Sequence, residues 1–374
     1  MQLAVYIYNT RGEDEEMRDI RSKTVKIKKK INIKKVLLDA IFFALVFLLT
    51  IYGIFHGEDM SEVGDIIKEC NVYWLIPAVV CVFAFISGES IILWYLFRSF
   101  GIKIKERICL LFSSVGFFFS CVTPSASGGQ PMQLVFMKKK KIPMAIATVI
   151  LMLVTILYKL VLVITGVALV IFARGFLNTY IGRYMWIFYL GIVLNVGCVA
   201  LMLVVTFHQT FAGNLVAGIF KLMEKIHILK HNERRNERVA RYISQYNGAA
   251  AYIKEHIGIT VHMFIITVLQ RFAMFLVTYF VYRAFSLSGT KAITIVLLQA
   301  AIAICVDMLP LPGGMGISEA LFKRFFATIF SAKLLLPGLV LSRGLGYYSE
   351  LIMSAVLTIV AMFVIKEDDE DENI

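Results

Sequence analysis

Charged residues are scarce in this chain. Asp, Glu, Lys and Arg make up 17% of its 374 residues, whereas about 25% is usual in soluble domains. Hydrophobic residues make up 59% of the chain, and its mean hydropathy is +0.77. These values exclude an ordinary soluble domain and predict an all-α integral membrane protein that crosses the bilayer several times. The formal net charge of +12 then indicates basic loops facing anionic lipid, and no nucleic-acid partner is expected.

Sequence motifs for catalysis are missing as well. The six cysteines include no Cys-x-x-Cys pair, and the six histidines have no spacing typical of a metal site. Nucleophile elbows, zinc-protease motifs and phosphate-binding loops are also absent from the sequence. We therefore expect no metal, no cofactor and no catalytic residue in this chain.

Proline is rare, but four of the seven prolines fall in two short runs within apolar sequence. The first run is Thr-Pro-Ser-Ala-Ser-Gly-Gly-Gln-Pro at 123–131, and the second is Leu-Pro-Leu-Pro-Gly-Gly-Met-Gly at 309–316. Proline and glycine interrupt helices, and broken backbone at membrane depth is tolerated only inside protein or beside a wet cavity. Paired breaks in two halves of a membrane protein indicate a transporter binding site. Close helix packing at the Gly-Gly pairs is the alternative.

Hydropathy and loop charge predict about six transmembrane helices and two re-entrant hairpins. The expected spans are 36–55, 72–97, 143–173, 184–207, 257–285 and 339–365. The hairpins begin with the short apolar runs 108–122 and 291–307, and the second returns along 317–331. A full crossing by the first hairpin would place the lysines at 138–141 outside, so we expect it to enter from the cytoplasm and the second from outside.

The polar parts of the chain complete this organisation. A basic tail at 1–35 is expected in the cytoplasm, followed by one transmembrane domain at 36–365. Within that domain, the basic stretch at 208–256 is predicted to be a cytoplasmic, amphipathic helical connector. An acidic cytoplasmic tail follows at 366–374.

An internal repeat supports the two hairpins. Arg98-Ser99-Phe100 precedes the first Gly-Gly pair by the same distance at which Arg283-Ala284-Phe285 precedes the second. Both units read as a span, a turn, a short apolar run, a break and a short return. Because the first unit begins with an inward span and the second with an outward one, we expect an inverted repeat with opposed hairpins.

Each break is followed by a short helix. Pro131 suits the first turn of one, and Ser318 is expected to cap the other, with Glu319 in its first turn. Free N–H groups make a helix N-terminus an anion site, so two such ends near mid-membrane predict a site for a phosphate-bearing head group. The candidate head-group residues are Thr123, Pro124, Ser125, Ser127, Gly128, Gly129, Gln130, Asp307, Pro310, Pro312, Gly313, Gly314, Ser318 and Glu319.

Ionisable residues within or beside apolar runs form a second signal, because each costs about 2.5–3.5 kcal/mol at a span centre. We expect Lys159 and Arg271 to hold a phosphate, and Asp307 and Glu350 to hold an ammonium group or exchange protons. Internal salt bridges are the alternative. The spacing of Arg343, Tyr347 and Glu350 places them on one helix face. The candidate set inside the membrane is Glu89, Lys159, Arg271, Arg343, Tyr347 and Glu350.

At the two broken motifs the chain resembles the lysylphosphatidylglycerol synthase transmembrane-region family of bacterial flippase-like proteins. The matching features are Thr-Pro-Ser-x-x-Gly-Gly-Gln-Pro at 123–131, Asp307, Leu-Pro-Leu-Pro-Gly-Gly-Met-Gly-Ile-Ser-Glu at 309–319, and Arg343 with the tyrosines 347 and 348. The resemblance covers roughly residues 35–365. It implies a lipid flippase that exposes lysyl-phosphatidylglycerol on the outer leaflet and so protects against cationic antimicrobial peptides.

The resemblance also implies a soluble synthase domain after the membrane region, which this sequence does not contain. We therefore expect translocation of a phospholipid of the phosphatidylglycerol or lysyl-phosphatidylglycerol type, in a bacterial cytoplasmic membrane, with both termini cytoplasmic. The expected partners are an anionic or aminoacylated phospholipid, the membrane, and a separate synthase or glycosyltransferase; a homo-oligomer is left open. A lysyltransferase component acting with a separate synthase, and a non-transporting membrane scaffold, are the alternatives.

Overall fold

The computed structural model describes residues 60–208 and 233–365, and every regular element in these two ranges is a helix. Several assigned segments lie outside the described residues: 1–35, 36–55, 209–232 and 366–374. In chain order the described α-helices are α1 (Met60–Lys68), α2 (Leu75–Ser99), α3 (Glu106–Val122), α4 (Gly129–Lys139), α5 (Met144–Phe172), α6 (Arg174–Tyr180), α7 (Met185–Phe207), α8 (Glu233–Glu255), α9 (Ile257–Ala284), α10 (Ala292–Val306), α11 (Ile317–Phe325), α12 (Ala332–Arg343) and α13 (Ser349–Val364).

Five helical segments of the described chain are long and apolar enough to cross a membrane. Four of them are α2, α5, α7 and α9, as the apolar runs predict. The fifth joins α12 and α13 through a π-helical turn at Gly344–Tyr348. These segments confirm an all-α, multi-pass membrane protein.

The prediction for the last span was wrong at its start, because the helix begins at Ala332 and not at residue 339. The exposed Lys333 and the internal Pro337 interrupt the apolar run in the first turns of this helix, so the predicted span began after them. Transmembrane helices tolerate proline where neighbouring groups satisfy the freed backbone. The last residue of α12, Arg343, contacts the second break through the Gly313 carbonyl.

The predicted return at 317–331 is helical only as far as Phe325. The residues after it turn back and pack an aromatic cluster, in which the Phe322 and Phe326 rings stack at 4.3 Å and Phe330 lies 6.0 Å from each. Phe326 and Phe330 are buried. The apolar residues after Phe325 therefore pack into this aromatic cluster and do not continue the helix.

Helices α2 and α9 run antiparallel and pack against each other. The N–H of Asn71, just before α2, donates to the Ala284 carbonyl at 2.8 Å, and the Gln270 amide donates to the Phe85 carbonyl at 2.8 Å. At the opposite end, the Tyr252 hydroxyl of α8 donates to the Ser99 carbonyl at 3.0 Å. We call these two ends of the bundle the Asn71 end and the Ser99 end.

The two hairpins start from opposite ends of this bundle. Helix α3 follows the Ser99 end and packs against α4, whereas α10 follows the Asn71 end and packs against α11. The breaks between the helices of each pair contact each other inside the bundle. The hairpins are therefore opposed, as the inverted repeat predicts.

Helix α8 forms the described part of the connector and lies against α5, α7 and α9. Its Tyr246, Ala249 and Ile253 are buried, and its Tyr242 hydroxyl donates to Thr148 at 2.9 Å. It thereby helps to close the largest apolar core, which lies at the Ser99 end. Fully buried members of that core include Leu93, Leu96, Phe97, Phe112, Val115, Ala147 and Ile150.

Candidate functional site

The side chain of Thr123 forms hydrogen bonds to the backbone on both sides of the first break. The Thr123 hydroxyl donates to the Phe119 carbonyl at 2.6 Å and accepts the N–H of Gly128 at 2.9 Å. Ala126 has a φ of 54°, a left-handed conformation that is uncommon outside glycine and is held here by the surrounding turn. The chain can therefore leave α3 and start α4 with its backbone groups largely satisfied.

The second break depends on glycines in the left-handed region, with φ of 55° at Gly313 and 85° at Gly316. Gly316 is the N-cap of α11, so the expectation that Ser318 caps this helix was wrong. The Glu319 carboxylate accepts the N–H of Gly316 at 2.6 Å and the Ser318 hydroxyl at 3.0 Å. Glu319 lies in the first turn, as predicted, and its negative charge already occupies the anion position of α11.

The last membrane-spanning segment, α12 to α13, forms hydrogen bonds beside both breaks. Arg343 donates to the Gly313 carbonyl at 3.0 Å and forms an ion pair with Glu319 at 2.7 Å. Tyr347 donates to the Cys121 carbonyl, at the end of α3, at 2.9 Å. The π-helical turn widens the helix between Arg343 and Ser349, and this geometry lets two residues near it reach different hairpins.

Between the breaks lies a cavity of about 520 Å³, a size usual for small-molecule sites. Helices α2, α3, α4, α5, α7, α9, α10 and α13 contribute to its wall. Ten of the predicted residues line it: Glu89, Ser127, Gln130, Lys159, Arg271, Asp307, Gly313, Gly314, Tyr347 and Glu350. The sequence thus located the residues of this cavity from two separate signals, the breaks and the charges.

Other predicted residues shape the breaks from outside the cavity wall. Thr123, Glu319 and Arg343 make the contacts described above. Three more predicted residues do not line the cavity: Gly128, Gly129 and Pro310. Of these, Gly129 is buried. Pro124 begins the turn of the first break, and the side chains of Ser125 and Pro312 are outside the described residues.

Asp307, Lys159 and Arg271 form a charged cluster on the cavity wall. Lys159 Nζ lies 2.6 Å from Asp307 Oδ2, and Arg271 Nη2 lies 3.8 Å from Asp307 Oδ1. The Arg271 guanidinium stacks 3.8 Å from the centre of the Tyr158 ring. The residue is 8% exposed, yet its Nε and Nη2 donate no hydrogen bond within the part of the chain that the structure describes. Arg271 therefore brings unused donors to a buried cavity.

The two other carboxylates of the cavity have a different environment. Glu89 accepts a hydrogen bond from the Gln133 amide at 2.6 Å, and Glu350 has the Cys121 thiol at 3.6 Å. Both are buried. Among the residues that the structure describes, neither forms an ion pair.

The sequence reasoning missed the neutral residues that complete the site. Gln133 binds Glu89, Thr155 bonds to Gln130, and Tyr158 lies under Arg271. A signal existed, since Thr155 and Tyr158 are three residues apart and Lys159 follows at i+4, on one face of α5. In a span as apolar as α5, such a polar stripe points to the interior of a bundle.

The glycine at the start of α4 is required by packing. A side chain at Gly129 would collide with the Ser120 hydroxyl and with the Gly116 carbonyl of α3. At Gly313 it would collide with the Tyr347 ring. Both observations favour the close-packing alternative for these glycines over a direct approach of a ligand to their backbone.

No curated protein sequence matches the chain. The model of the family described as "Lysylphosphatidylglycerol synthase TM region" matches residues 36–354. The matched part includes both breaks and all the charged residues of the cavity. Since this match covers most of the sequence, the chain belongs to the lysylphosphatidylglycerol synthase transmembrane-region family.

Proposed function

We propose that this protein moves a phospholipid of the phosphatidylglycerol or lysyl-phosphatidylglycerol type between the leaflets of a bacterial cytoplasmic membrane. The head group occupies the cavity between the two breaks, while the acyl chains remain in the surrounding lipid. The observation that carries this proposal is Arg271, which lines the cavity and whose buried Nε and Nη2 donate no hydrogen bond to any residue that the structure describes. An unpaired buried donor is costly, and a phosphate oxygen satisfies it.

The charges around Arg271 support a phosphate. Lys159 and Arg271 share the single carboxylate of Asp307, so this cluster keeps a net positive charge. Arginine binds phosphate with a planar pair of donors, and Tyr158 holds the guanidinium plane in place. The cluster can therefore receive an anion without losing its internal ion pair.

The first break adds a second attraction for the anion, which acts through the dipole of α4 and not through contact with the Gly129 backbone. Helix α4 has 11 residues, a glycine N-cap and no acidic residue in its first turn. Ser127 and Gln130, which lie on either side of the first residue of α4, line the cavity. Helix α11, by contrast, has its N-terminus filled by Glu319. We therefore assign the phosphate to the α4 side of the cavity and leave to α11 a structural role.

Family membership supports the lipid class. The family description names lysylphosphatidylglycerol, a lipid with one phosphate and a lysyl ester. We propose that this lipid, or phosphatidylglycerol itself, is the substrate and that a separate synthase or glycosyltransferase supplies a modified form. Exposure of a cationic lipid on the outer leaflet would then contribute to resistance against cationic peptides.

A leaflet-exchange assay tests the proposal. The purified protein is reconstituted in liposomes with fluorescent phosphatidylglycerol or its lysyl ester, and a membrane-impermeant quencher reports how much lipid reaches the outer leaflet. We expect exchange well above that of protein-free liposomes. Equal rates in both would contradict translocation and favour a scaffold.

The residue that carries the proposal is tested in the same assay. Arg271→Gln removes the donors, and Arg271→Lys keeps the charge but loses the planar stacking on Tyr158. Loss of a hydrogen bond to a charged group costs about 1.5–3 kcal/mol, so we expect exchange to fall by about tenfold or more in both variants. Arg174→Gln is the matched control, because Arg174 is exposed and outside the cavity. Unchanged exchange in the folded Arg271 variants would remove the phosphate assignment.

A further inference from the structure

The three carboxylates of the cavity are held in two different ways. Asp307 faces two cationic groups, Lys159 and Arg271. These partners stabilise only the ionised form, because a protonated lysine or arginine cannot accept a hydrogen bond from a carboxylic acid. Glu89 and Glu350 lack such a partner in residues 60–208 and 233–365. Burial of an unpaired carboxylate is expensive, and protonation removes that cost.

The neighbours of Glu89 and Glu350 are compatible with both protonation states. The Gln133 amide donates to ionised Glu89, and after a rotation of its terminal group it can accept from a protonated Glu89. The Cys121 thiol is a weak donor and a weak acceptor toward Glu350. Both carboxyl groups line the cavity, where water can deliver or remove a proton.

Other charged and titratable groups near this pair lie on α3, α5, α9, α12 and the π-helical turn. Tyr158 of α5 and Arg271 of α9 line the same cavity, and Cys121 and Tyr347 lie beside Glu350. Arg343 and Arg271 attract Glu350 from beyond ion-pair distance. Arg343 is already paired with Glu319, and Arg271 with Asp307. Neither arginine therefore neutralises Glu350 through a direct contact.

Proton binding reverses the sign of the charge on the cavity wall. With Glu89 and Glu350 ionised, three carboxylates face Lys159 and Arg271, and the wall is net negative. With both protonated, Lys159 and Arg271 face Asp307 alone, and the wall is net positive. A phosphate therefore binds better to the protonated form, and by linkage a bound phosphate favours proton uptake.

We infer that Glu89 and Glu350 are proton-binding sites and that the protein carries protons together with the phosphate-bearing head group in the same direction. In each cycle a carboxylate oxygen takes a proton from water on one side, and the lipid phosphate binds beside Arg271. On the other side the proton returns to water and the restored negative charge releases the phosphate. This inference rests on the proposed lipid translocation.

A pH gradient across the reconstituted liposomes tests the coupling. The membrane potential is clamped at zero with potassium and valinomycin, and a gradient of one pH unit is imposed. Since one pH unit corresponds to a tenfold change in proton activity, fluorescent phosphatidylglycerol should accumulate in the leaflet on the alkaline side. The expected leaflet ratio is up to about tenfold for one coupled proton and about a hundredfold for two.

Variants assign the effect to the two carboxyl groups. Glu89→Gln and Glu350→Gln should each reduce the gradient-driven leaflet ratio, and the double variant should abolish it. Glu255→Gln is the matched control because Glu255 is exposed at the end of α8, outside the cavity, and it should keep the full response. Wild-type exchange that ignores the gradient would overturn the coupling while leaving lipid translocation intact. No wild-type exchange at any pH would instead contradict the proposed function.

A second measurement does not depend on transport. Infrared spectra of the purified protein in detergent should show a protonated carboxyl band near neutral pH that is lost on alkalinisation and weakened in either Gln variant. Ionisation of all cavity carboxyls at the ordinary value of about 4 would overturn the inference. So would a loss of lysyl-phosphatidylglycerol exchange alone in the Gln variants, because the carboxylates would then be binding the ammonium groups of that lipid.

Discussion

Asp307 is the residue on which the charge arrangement of the cavity depends. It holds Lys159 at 2.6 Å and Arg271 at 3.8 Å, and the side chains of Lys159 and Asp307 are 15% and 17% exposed. A charge pair that is mostly shielded from water is sensitive to loss of one partner, because the remaining charge stays partly desolvated. A surface pair loses little, because water replaces the partner.

A double-mutant cycle compares these two situations within one molecule. We expect Asp307→Asn and Lys159→Met to couple by more than about 1 kcal/mol in thermal unfolding in detergent. The exposed pair Asp65–Lys68, at 2.8 Å and with side chains 66% and 79% exposed, is the matched control. Its coupling should stay below about 0.5 kcal/mol. Equal coupling in both cycles would show that water screens the cavity as well as it screens the surface.

At the level of elements, the starts of α4 and α11 perform different tasks although their sequences look alike. Helix α4 starts against α3, with Gly129 buried beneath Ser120 and the Gly116 carbonyl. Helix α11 starts at a left-handed Gly316 and is capped by Glu319. Close packing at the first break and capping at the second leave room between the hairpins for the cavity.

Gly129→Ala tests the packing at the first break. A methyl group there collides with backbone, which cannot move aside as a side chain does, so the variant should lose about 1–3 kcal/mol of stability. Gly248→Ala in α8 is the control, because no atom lies within 4 Å of its added methyl. That variant should be neutral or gain up to about 1 kcal/mol from better helix propensity. Melting temperatures in detergent report both, and a Gly129→Ala protein as stable as wild type would argue against close packing.

The sequence allowed the helices and breaks to be predicted because their causes are local. The effects of Pro124 and Gly313 on the backbone act within a few residues, and apolar runs as long as α5 have few alternatives. The ion pair of Lys159 with Asp307 joins residues far apart in the chain, so charge content suggested a shared site but not which partners meet. The role of Ser318 was misjudged because Gly316 reaches a left-handed conformation that spacing alone does not reveal. The π-helical turn near Tyr347 was likewise hidden, since the contacts of its neighbours with both hairpins join residues far apart in the chain.

For the whole molecule, the opposed hairpins have a consequence for sidedness. The Ser99 end carries the start of α3, and the Asn71 end carries the start of α10. A cavity reached by one hairpin from each end can open alternately to the two sides when the two repeats rock against each other. From the positive-inside rule we propose that the Ser99 end faces the cytoplasm, because basic residues such as Lys103, Lys105 and Arg107 follow it.

Cysteine labelling of intact cells tests this orientation. In a background without native cysteines, Lys291→Cys at the Asn71 end should react with a membrane-impermeant thiol reagent added outside. Lys105→Cys at the Ser99 end should react only after permeabilisation. Both lysines are exposed, so burial does not explain a difference between them. Labelling of both from the same side would exclude opposed ends, and labelling of Lys105→Cys alone from outside would invert the orientation.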